Sequence, residues 1–180
     1  MFETGHGLMQ EHAQTINRHK ALCARSAQQA GFKRHIDNIQ WVFGIPCVVS
    51  INRFSTDTQA EIDLLGSRLE RLGTRAFVAT HWADGGAGAA DVAKIVVDLC
   101  EQKSSPTFVY EDSDPLWEKM KKVATKIYGA ADISAPAKVK QQLKAWEEAG
   151  YGHYPICVAK TQSSFSADAT LRGAPSGHVV

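Results

Sequence analysis

Two aromatic side chains, Phe54 and Trp82, stand in polar segments where they could bind a flat ligand. Phe54 follows the apolar run 45–51, and Trp82 follows a second, shorter run at 75–80. Such runs are typical of parallel strands covered on both faces, and adjacent strands lie about 5 Å apart. Offset stacking contributes roughly 0.5–1.5 kcal/mol per ring pair. The two side chains could therefore grip a flat ring between them; the alternative is that both only cover the core.

A glycine-rich segment, Gly85–Gly88, follows Trp82 and raises the question of a dinucleotide-binding loop. The fingerprint G-x-G-x-x-G/A needs Gly or Ala at its last position, but a pattern begun at Gly86 reaches Asp91 there. A nicotinamide-dependent oxidoreductase is therefore the least favoured function. The segment instead predicts a tight turn from a strand into a helix, where glycine lets another group approach the backbone and the helix N-terminus favours an anion.

Two other kinds of nucleotide-binding loop are also missing from the sequence. Residues 51–54, Ile-Asn-Arg-Phe, begin like the Asn-Lys-x-Asp guanine-specificity loop of small GTPases, but Ser55 stands where Asp is required. The pattern G-x-x-x-x-G-K-[ST] occurs nowhere in the 180 residues. The phosphate cradle of a P-loop protein is therefore absent from this chain.

The histidines and cysteines predict no metal site. The seven histidines form no ligand spacing, and His81, next to Trp82, has the plain interpretation of an exposed loop residue. No pair of the four cysteines has C-x-x-C spacing. Cys47, Cys100 and Cys157 lie in apolar segments, so we expect buried thiols, a pattern that suits a reducing cytosol.

The elements that must position these residues alternate along the chain. Strands are predicted at 45–51, 75–80, 107–110 and 156–159, with helices between them. This alternation predicts an α/β fold, a mostly parallel sheet with helices on both faces. Ligands of such sheets bind beyond the carboxyl ends of the strands, where residues 52–57 and 81–88 lie.

The predicted helices carry recognisable start and stop signals. Thr58 and Glu61 have capping-box spacing, and Gly73 ends the helix behind them. Asp114 is the predicted N-cap of a later helix with Pro115 at its first position, and Ser134 is predicted to open the next. The side chains expected to face the core are Ile36, Ile39, Val42, Ile62, Leu65, Leu69, Leu72, Val92, Ile95, Val96, Leu99, Leu116, Met120, Val123, Ile127, Val139, Leu143 and Trp146.

Composition predicts an ordinary globular protein. Hydrophobic residues make up 44%, charged residues 22%, and the formal net charge is +1. Nothing indicates the basic surface of a nucleic-acid-binding protein or a polybasic membrane patch. No apolar run approaches the ~20 residues that span a bilayer, and the N-terminus has no signal-peptide core. We therefore expect a cytoplasmic protein with neither nucleic acid nor membrane as partner.

Several sequence blocks, in order and with matching spacing, resemble the formate–tetrahydrofolate ligase family. They are GIPCVVSINRFSTDTQAEI, THWADGGAGAADVA, KIYGAADI, GYGHYPICVAKTQSSFS and LRGAPSG. The resemblance covers roughly Phe32 to Gly177, and INRFSTDT and HWADGG together are its most specific part.

The resemblance implies an ATP-dependent ligase with a three-layer, P-loop-NTPase-like fold. Such enzymes form 10-formyltetrahydrofolate from formate and tetrahydrofolate through formyl phosphate. They are cytosolic, commonly homotetrameric, and use MgATP with a monovalent cation such as K⁺ or NH₄⁺. No catalytic residue of this chain is assigned.

The resemblance also implies roles for particular residues. The aromatic pair that stacks on the pterin falls on Phe54 and Trp82, while Asp57 and Thr58 are expected to start the next helix. Lys160, Thr161 and Pro175 match segments near the active-site cleft, with Pro175 expected to border the nucleotide.

Family members are much longer than this chain, and their P-loop belongs to an upstream part. We therefore predict an internal or C-terminal-side fragment: an unmatched leader at 1–30, a folate-side α/β domain at 31–160, and a tail at 161–180 cut short of the next family strand. The predicted function is the folate-binding part of the ligase. The alternative is a catalytically inactive, truncated binding domain of the same family.

Overall fold

The computed structural model describes residues 26–158 and 165–180, and it divides the chain into two compact units between Pro106 and Thr107. The first unit contains a two-stranded parallel sheet flanked by helices, which confirms the α/β class. The second unit consists of helices and loops. The single α/β domain predicted over 31–160 and its three-layer arrangement stay predictions.

The first unit alternates helices with the two strands. Its elements are α1 (Ser26–Asp37), a π-helical turn (Asn38–Val42), β1 (Val49–Asn52), α2 (Gln59–Arg71), β2 (Ala76–Ala79), α3 (His81–Asp84), a 3-10 turn (Gly85–Ala89) and α4 (Ala90–Cys100). The predicted strands at 45–51 and 75–80 are thus present in shortened form.

The core of the first unit forms where β1 meets α1 and α2. Val49 and Ile51 alternate with half-buried polar residues along β1, as expected for a strand with one strongly covered face. Leu65 and Leu69 of α2 pack with them, and Leu69 is 0% exposed. This crossover helix brings β2 beside β1 in parallel, with Val49 opposite Ala76.

The second unit contains two helices, α5 (Leu116–Lys126) and α6 (Ala137–Trp146), the latter followed by a π-helical turn (Glu147–Tyr151). Their N-caps are Pro115 and Pro136, so the predicted caps Asp114 and Ser134 are wrong. Asp114 instead accepts a hydrogen bond from the backbone N–H of Glu111 and forms an ion pair with Lys122. It therefore stabilises the loop before α5 rather than the first turn of that helix.

The strand predicted at 107–110 is wrong, because these residues form no strand. Residues 156–158, the described part of the strand predicted at 156–159, form no strand either. The Tyr110 hydroxyl accepts a hydrogen bond from the Ile156 N–H at 3.0 Å and lies 3.4 Å from the Ile156 carbonyl oxygen, to which it donates. Lys126 Nζ donates to the Val109 carbonyl oxygen at 2.9 Å. Side chains thus satisfy backbone groups that a strand ladder would otherwise pair.

Several side chains expected in the core are more exposed than predicted. Helix α4 has no buried residue, and Val139 and Trp146 of α6 are exposed. Helix α4 packs against β2. Because a two-stranded sheet is only about as wide as one helix, the sheet covers little of the apolar face of α4. Cys100 and Cys157 are also exposed, while Cys47 is half-buried.

Within the described ranges, no helix combines the length and apolar character needed to cross a membrane. Residues 165–180 form no helix, and their strand pairing is limited to one bridge between Asp132 and Val179. These residues therefore agree with the loop predicted for the end of the chain.

Candidate functional site

The two strands end side by side, which makes one continuous edge of the first unit. Asn52, the last residue of β1, lies opposite Ala79, the last residue of β2. The Arg53 N–H donates to the Ala79 carbonyl oxygen at 2.9 Å, so the ladder extends one residue beyond β1. Phe54 follows two residues after Asn52, and Trp82 three residues after Ala79. Both predicted ligand-binding aromatics therefore follow the same end of the sheet.

Both aromatic side chains reach the surface of the first unit. Phe54 is 41% exposed and Trp82 is 74% exposed. Aromatic side chains are large apolar groups, and covering their exposed area with a ligand is favourable. Neither ring is fully buried, so both are accessible to a ligand, while the alternative that they only cover the core stays open.

A tight turn fixes the backbone of Phe54. The Phe54 N–H donates to Asp57 Oδ2 at 2.8 Å, and the Asp57 N–H donates back to the Phe54 carbonyl oxygen at 3.0 Å. Because the acceptor in the first bond is an ionised carboxylate, this bond is stronger than one between neutral groups. Asp57 thus holds the loop that carries the aromatic ring.

Helix α2 begins directly behind this turn with the predicted capping box. The Thr58 N–H donates to Glu61 Oε2 at 2.9 Å, and the Glu61 N–H donates to Thr58 Oγ1 at 3.3 Å. The bonds from the Thr58 backbone and hydroxyl hold the pKa of the Glu61 carboxyl below its usual value. The cap anchors the far end of the Phe54 turn to a helix that packs in the core.

Trp82 lies on α3, a single helical turn tied to the end of β2. The Thr80 carbonyl oxygen accepts hydrogen bonds from the Ala83 and Asp84 N–H groups, both at 2.9 Å. The Thr80 N–H donates to the Gly88 carbonyl oxygen, also at 2.9 Å. Main-chain hydrogen bonds therefore close the loop on both sides of Thr80, and His81 beside Trp82 is exposed as predicted.

Polar groups accompany the aromatic rings at this edge. Ser50 Oγ donates to Asn52 Oδ1 at 3.1 Å, and the Asn52 side chain is half-buried at the end of β1. Arg53, the next residue, is exposed. The edge thus combines two accessible aromatic surfaces with amide and guanidinium groups, a composition suited to a flat heterocycle that also forms hydrogen bonds.

The proposed roles of the other predicted site residues stay predictions. Lys160 and Thr161 lie outside the described residues, and Pro175 is half-buried in the second unit. Among the described ranges, 26–158 and 165–180, no group of three or more His, Cys, Asp or Glu side chains is arranged to hold a metal ion.

Asp57 and Gly88 both shape the edge in ways that the sequence did not predict, since Asp57 was expected only to start the next helix and Gly88 only to belong to a tight turn. Asp57 belongs to a recurring pattern in which an acidic side chain accepts a hydrogen bond from the backbone N–H three residues earlier. The N–H groups of Phe54, Thr58 and Glu111 donate in this way to the carboxylates of Asp57, Glu61 and Asp114. That spacing in a loop is a signal that could have identified Asp57. The sequence shows Gly88 as a glycine but contains no sign of the group that approaches it.

Comparison with known proteins identifies the family. Residues 5–180 match the family described as formate–tetrahydrofolate ligase. The formate–tetrahydrofolate ligase of Methylococcus capsulatus is 56% identical over 160 residues, which is 88% of this chain and 28% of the relative. That of Methylibium petroleiphilum is 52% identical over 155 residues, 84% of this chain and 28% of the relative. That of Methylobacillus flagellatus is 47% identical over 152 residues, 84% of this chain and 27% of the relative.

The first unit defines an α/β protein with a candidate ligand site beyond the carboxyl ends of parallel strands. With these matches, the chain belongs to the formate–tetrahydrofolate ligase family, which confirms the resemblance found in the sequence. The chain spans about 28% of the length of the first two relatives. The family match begins at residue 5, so it takes in most of the segment 1–30 that the quoted blocks left unmatched.

Proposed function

We propose that this chain is the folate-side part of a formate–tetrahydrofolate ligase and that Phe54 and Trp82 stack on the pterin ring. The observation that carries the proposal is the exposure of both aromatics just beyond the aligned ends of two adjacent parallel strands. Family membership supplies the ligand, since the relatives are named for formate and tetrahydrofolate.

The reaction of the full-length ligase proceeds in two steps. The γ-phosphoryl group of ATP is transferred to a formate oxygen, which gives formyl phosphate and ADP. The N10 amine of tetrahydrofolate then attacks the formyl carbon, the C–O bond to phosphate breaks, and the amine loses a proton. We propose that the full-length enzyme performs these steps in the cytoplasm as a homo-oligomer with MgATP and a monovalent cation. Lys160, Thr161 and Pro175 are proposed to lie on the nucleotide side of the cleft.

The proposed contribution of this chain is binding and orientation. Two ring faces held by separate loops restrict the pterin plane, and restricting it helps to place N10 for attack. The hydrogen bond from Phe54 to Asp57 orders one of these loops before the ligand arrives. Order that exists before binding lowers the entropy lost on binding and so favours affinity.

The alternative proposal is a binding domain of this family without catalysis. It is favoured by the absence of G-x-x-x-x-G-K-[ST] from the 180 residues, because phosphoryl transfer depends on such an electrostatic cradle. We therefore expect the purified chain, given ATP, formate and tetrahydrofolate, to form no 10-formyltetrahydrofolate. Detectable product would contradict this expectation, since the chain would then contain the phosphoryl-transfer machinery.

The binding proposal is tested by replacing each of two similar tryptophans. Trp82→Ala removes a proposed ring contact, and Trp41→Ala is a matched control because Trp41 is 79% exposed on another surface segment of the same unit, the π-helical turn. Calorimetric titration with tetrahydrofolate is expected to show about two- to tenfold weaker binding for Trp82→Ala, the value of one stacking contact. Trp41→Ala is expected to bind like the parent.

The same substitution can be placed in the corresponding position of a full-length relative. There the Michaelis constant for tetrahydrofolate is expected to rise more than that for ATP. Equal tetrahydrofolate binding by the Trp82→Ala variant and the parent would show that the ring does not contact the pterin.

A further inference from the structure

Gly88 is in closer contact with the backbone than the other glycines of its loop. A Cβ atom placed on Gly88 would lie 2.5 Å from the Thr80 carbonyl carbon and 2.6 Å from the His81 nitrogen. It would also lie 2.6 Å from Thr80 Oγ1. Side chains can rotate away from an added methyl group, but the first two atoms belong to a planar peptide bond between the end of β2 and the α3 turn.

The neighbouring glycines do not have this restriction. A Cβ atom on Gly85 or Gly86 would meet nothing within 4 Å. Gly85 has a φ of +58°, which disfavours other residues for a different reason, whereas Gly86 has neither a close neighbour nor a positive φ. Gly86 and Gly88 are thus a matched pair in one loop, and only Gly88 requires the absence of a side chain for steric reasons.

The peptide that Gly88 contacts is the one that leads into the Trp82 turn. It joins Thr80 to His81 directly before the aromatic residue, and its carbonyl oxygen accepts the two hydrogen bonds that form α3. The Thr80 N–H also donates to the Gly88 carbonyl oxygen at 2.9 Å. A methyl group at position 88 must therefore displace this peptide or separate Thr80 from Gly88. The first movement shifts the backbone that carries Trp82, and the second breaks a hydrogen bond that closes its turn.

We infer that Gly88 is the positioning residue for Trp82 at the candidate folate edge. The inference deepens the proposed function and rests on it as far as folate is concerned. The position of the ring itself is a separate, measurable property of this chain. Gly88→Ala is expected to displace the ring and to weaken tetrahydrofolate binding about two- to tenfold, as the loss of one stacking contact does.

The experiment observes the ring directly by fluorine NMR. The chain contains four tryptophans, so labelling with 5-fluorotryptophan gives a small set of resonances that Trp→Phe substitutions assign. Trp41 reports on the fold of the first unit away from this loop, and Trp117 and Trp146 report on the second. Gly88→Ala is expected to shift the Trp82 resonance and leave the other three in place. Gly86→Ala is expected to leave all four unchanged.

Titration with tetrahydrofolate completes the test and separates the two claims. The inference would be supported by three results together. Gly88→Ala binds tetrahydrofolate more weakly than the parent, Gly86→Ala binds it like the parent, and only Gly88→Ala displaces the Trp82 resonance. An unchanged Trp82 resonance in Gly88→Ala would overturn it, whatever the affinity. Displacement of the Trp41 resonance as well would also overturn it, because Gly88 would then hold the whole unit. If the parent does not bind tetrahydrofolate, the proposed function fails, while the resonances still decide the role of Gly88.

Discussion

Removing the carboxylate of Asp57 should loosen the turn that carries Phe54. In Asp57→Ala, the Phe54 N–H loses its 2.8 Å bond to Asp57 Oδ2. Hydrogen bonds to ionised groups contribute about 1.5–3 kcal/mol, but water can replace this acceptor in an exposed loop. We therefore expect the free energy of unfolding to fall by only roughly 0.5–1.5 kcal/mol. The larger effect should be on ligand binding.

The effect on binding follows from the cost of ordering the loop. Fixing one residue's backbone costs about 1–2 kcal/mol, and in the variant this cost is met when the ligand binds. That corresponds to an affinity for tetrahydrofolate about 5- to 30-fold weaker. Asp57→Asn retains an oxygen that accepts from the Phe54 N–H, so we expect it to bind within about twofold of the parent.

Two measurements check this expectation. Calorimetric titration gives the affinity, and amide hydrogen exchange at Phe54 reports the loss of the bond, which should accelerate exchange in Asp57→Ala. Asp63→Ala is a suitable control, because Asp63 accepts a side-chain bond from Gln59 on the exposed surface of α2, away from the aromatic turn. Parental affinity together with unchanged Phe54 exchange in Asp57→Ala would refute the reasoning.

Two further predictions concern stability. Leu69→Ala removes a side chain that is 0% exposed and should lower the free energy of unfolding by about 2–5 kcal/mol. Leu64 on the same helix is 45% exposed, so Leu64→Ala should change the free energy of unfolding by less than about 0.5 kcal/mol. Denaturant titrations of both variants test this contrast, and equal losses would contradict it. The hydrogen bond from Lys122, the Glu111 N–H and the charge of Lys122 hold the pKa of Asp114 below its usual 3.8. The ionised carboxylate therefore stabilises the fold above pH 3.8, and this contribution is lost as the pH falls through the lower pKa of the folded state. The stability difference between the parent and Asp114→Asn should therefore shrink on acidification, and a difference that is constant down to the folded-state pKa would exclude the ion pair as its source.

The sequence predicted some local signals of this fold, although the predicted N-caps Asp114 and Ser134 were wrong. The capping box at Thr58 and Glu61 depends on four consecutive residues, and the structure contains it with both reciprocal bonds. The positions of β1 and β2 were also recognised, because each is a short apolar run between turn signals. The two candidate ligand residues could be placed past the strand ends for the same reason.

Features that depend on distant partners were not predictable in this way. The segment at 107–110 has the composition of a strand, but a strand also needs a neighbour, and the Tyr110 hydroxyl bonds to Ile156 across 46 positions of the sequence instead. The apolar stripe of α4 predicted burial that its packing surface does not supply. At the candidate site, the pattern gave the two aromatics, but the backbone contact of Gly88 depends on the path of the loop and is visible only in three dimensions.

The turn that carries Trp82 is closed entirely by main-chain groups of Thr80, Ala83, Asp84 and Gly88. None of these bonds uses the side chain of residue 81, 82 or 83. The identity of those three residues can therefore vary without rebuilding the scaffold that presents them. The tip of β2 could therefore accept new surface side chains for protein design, with Gly88 kept and residues 81–83 exchanged.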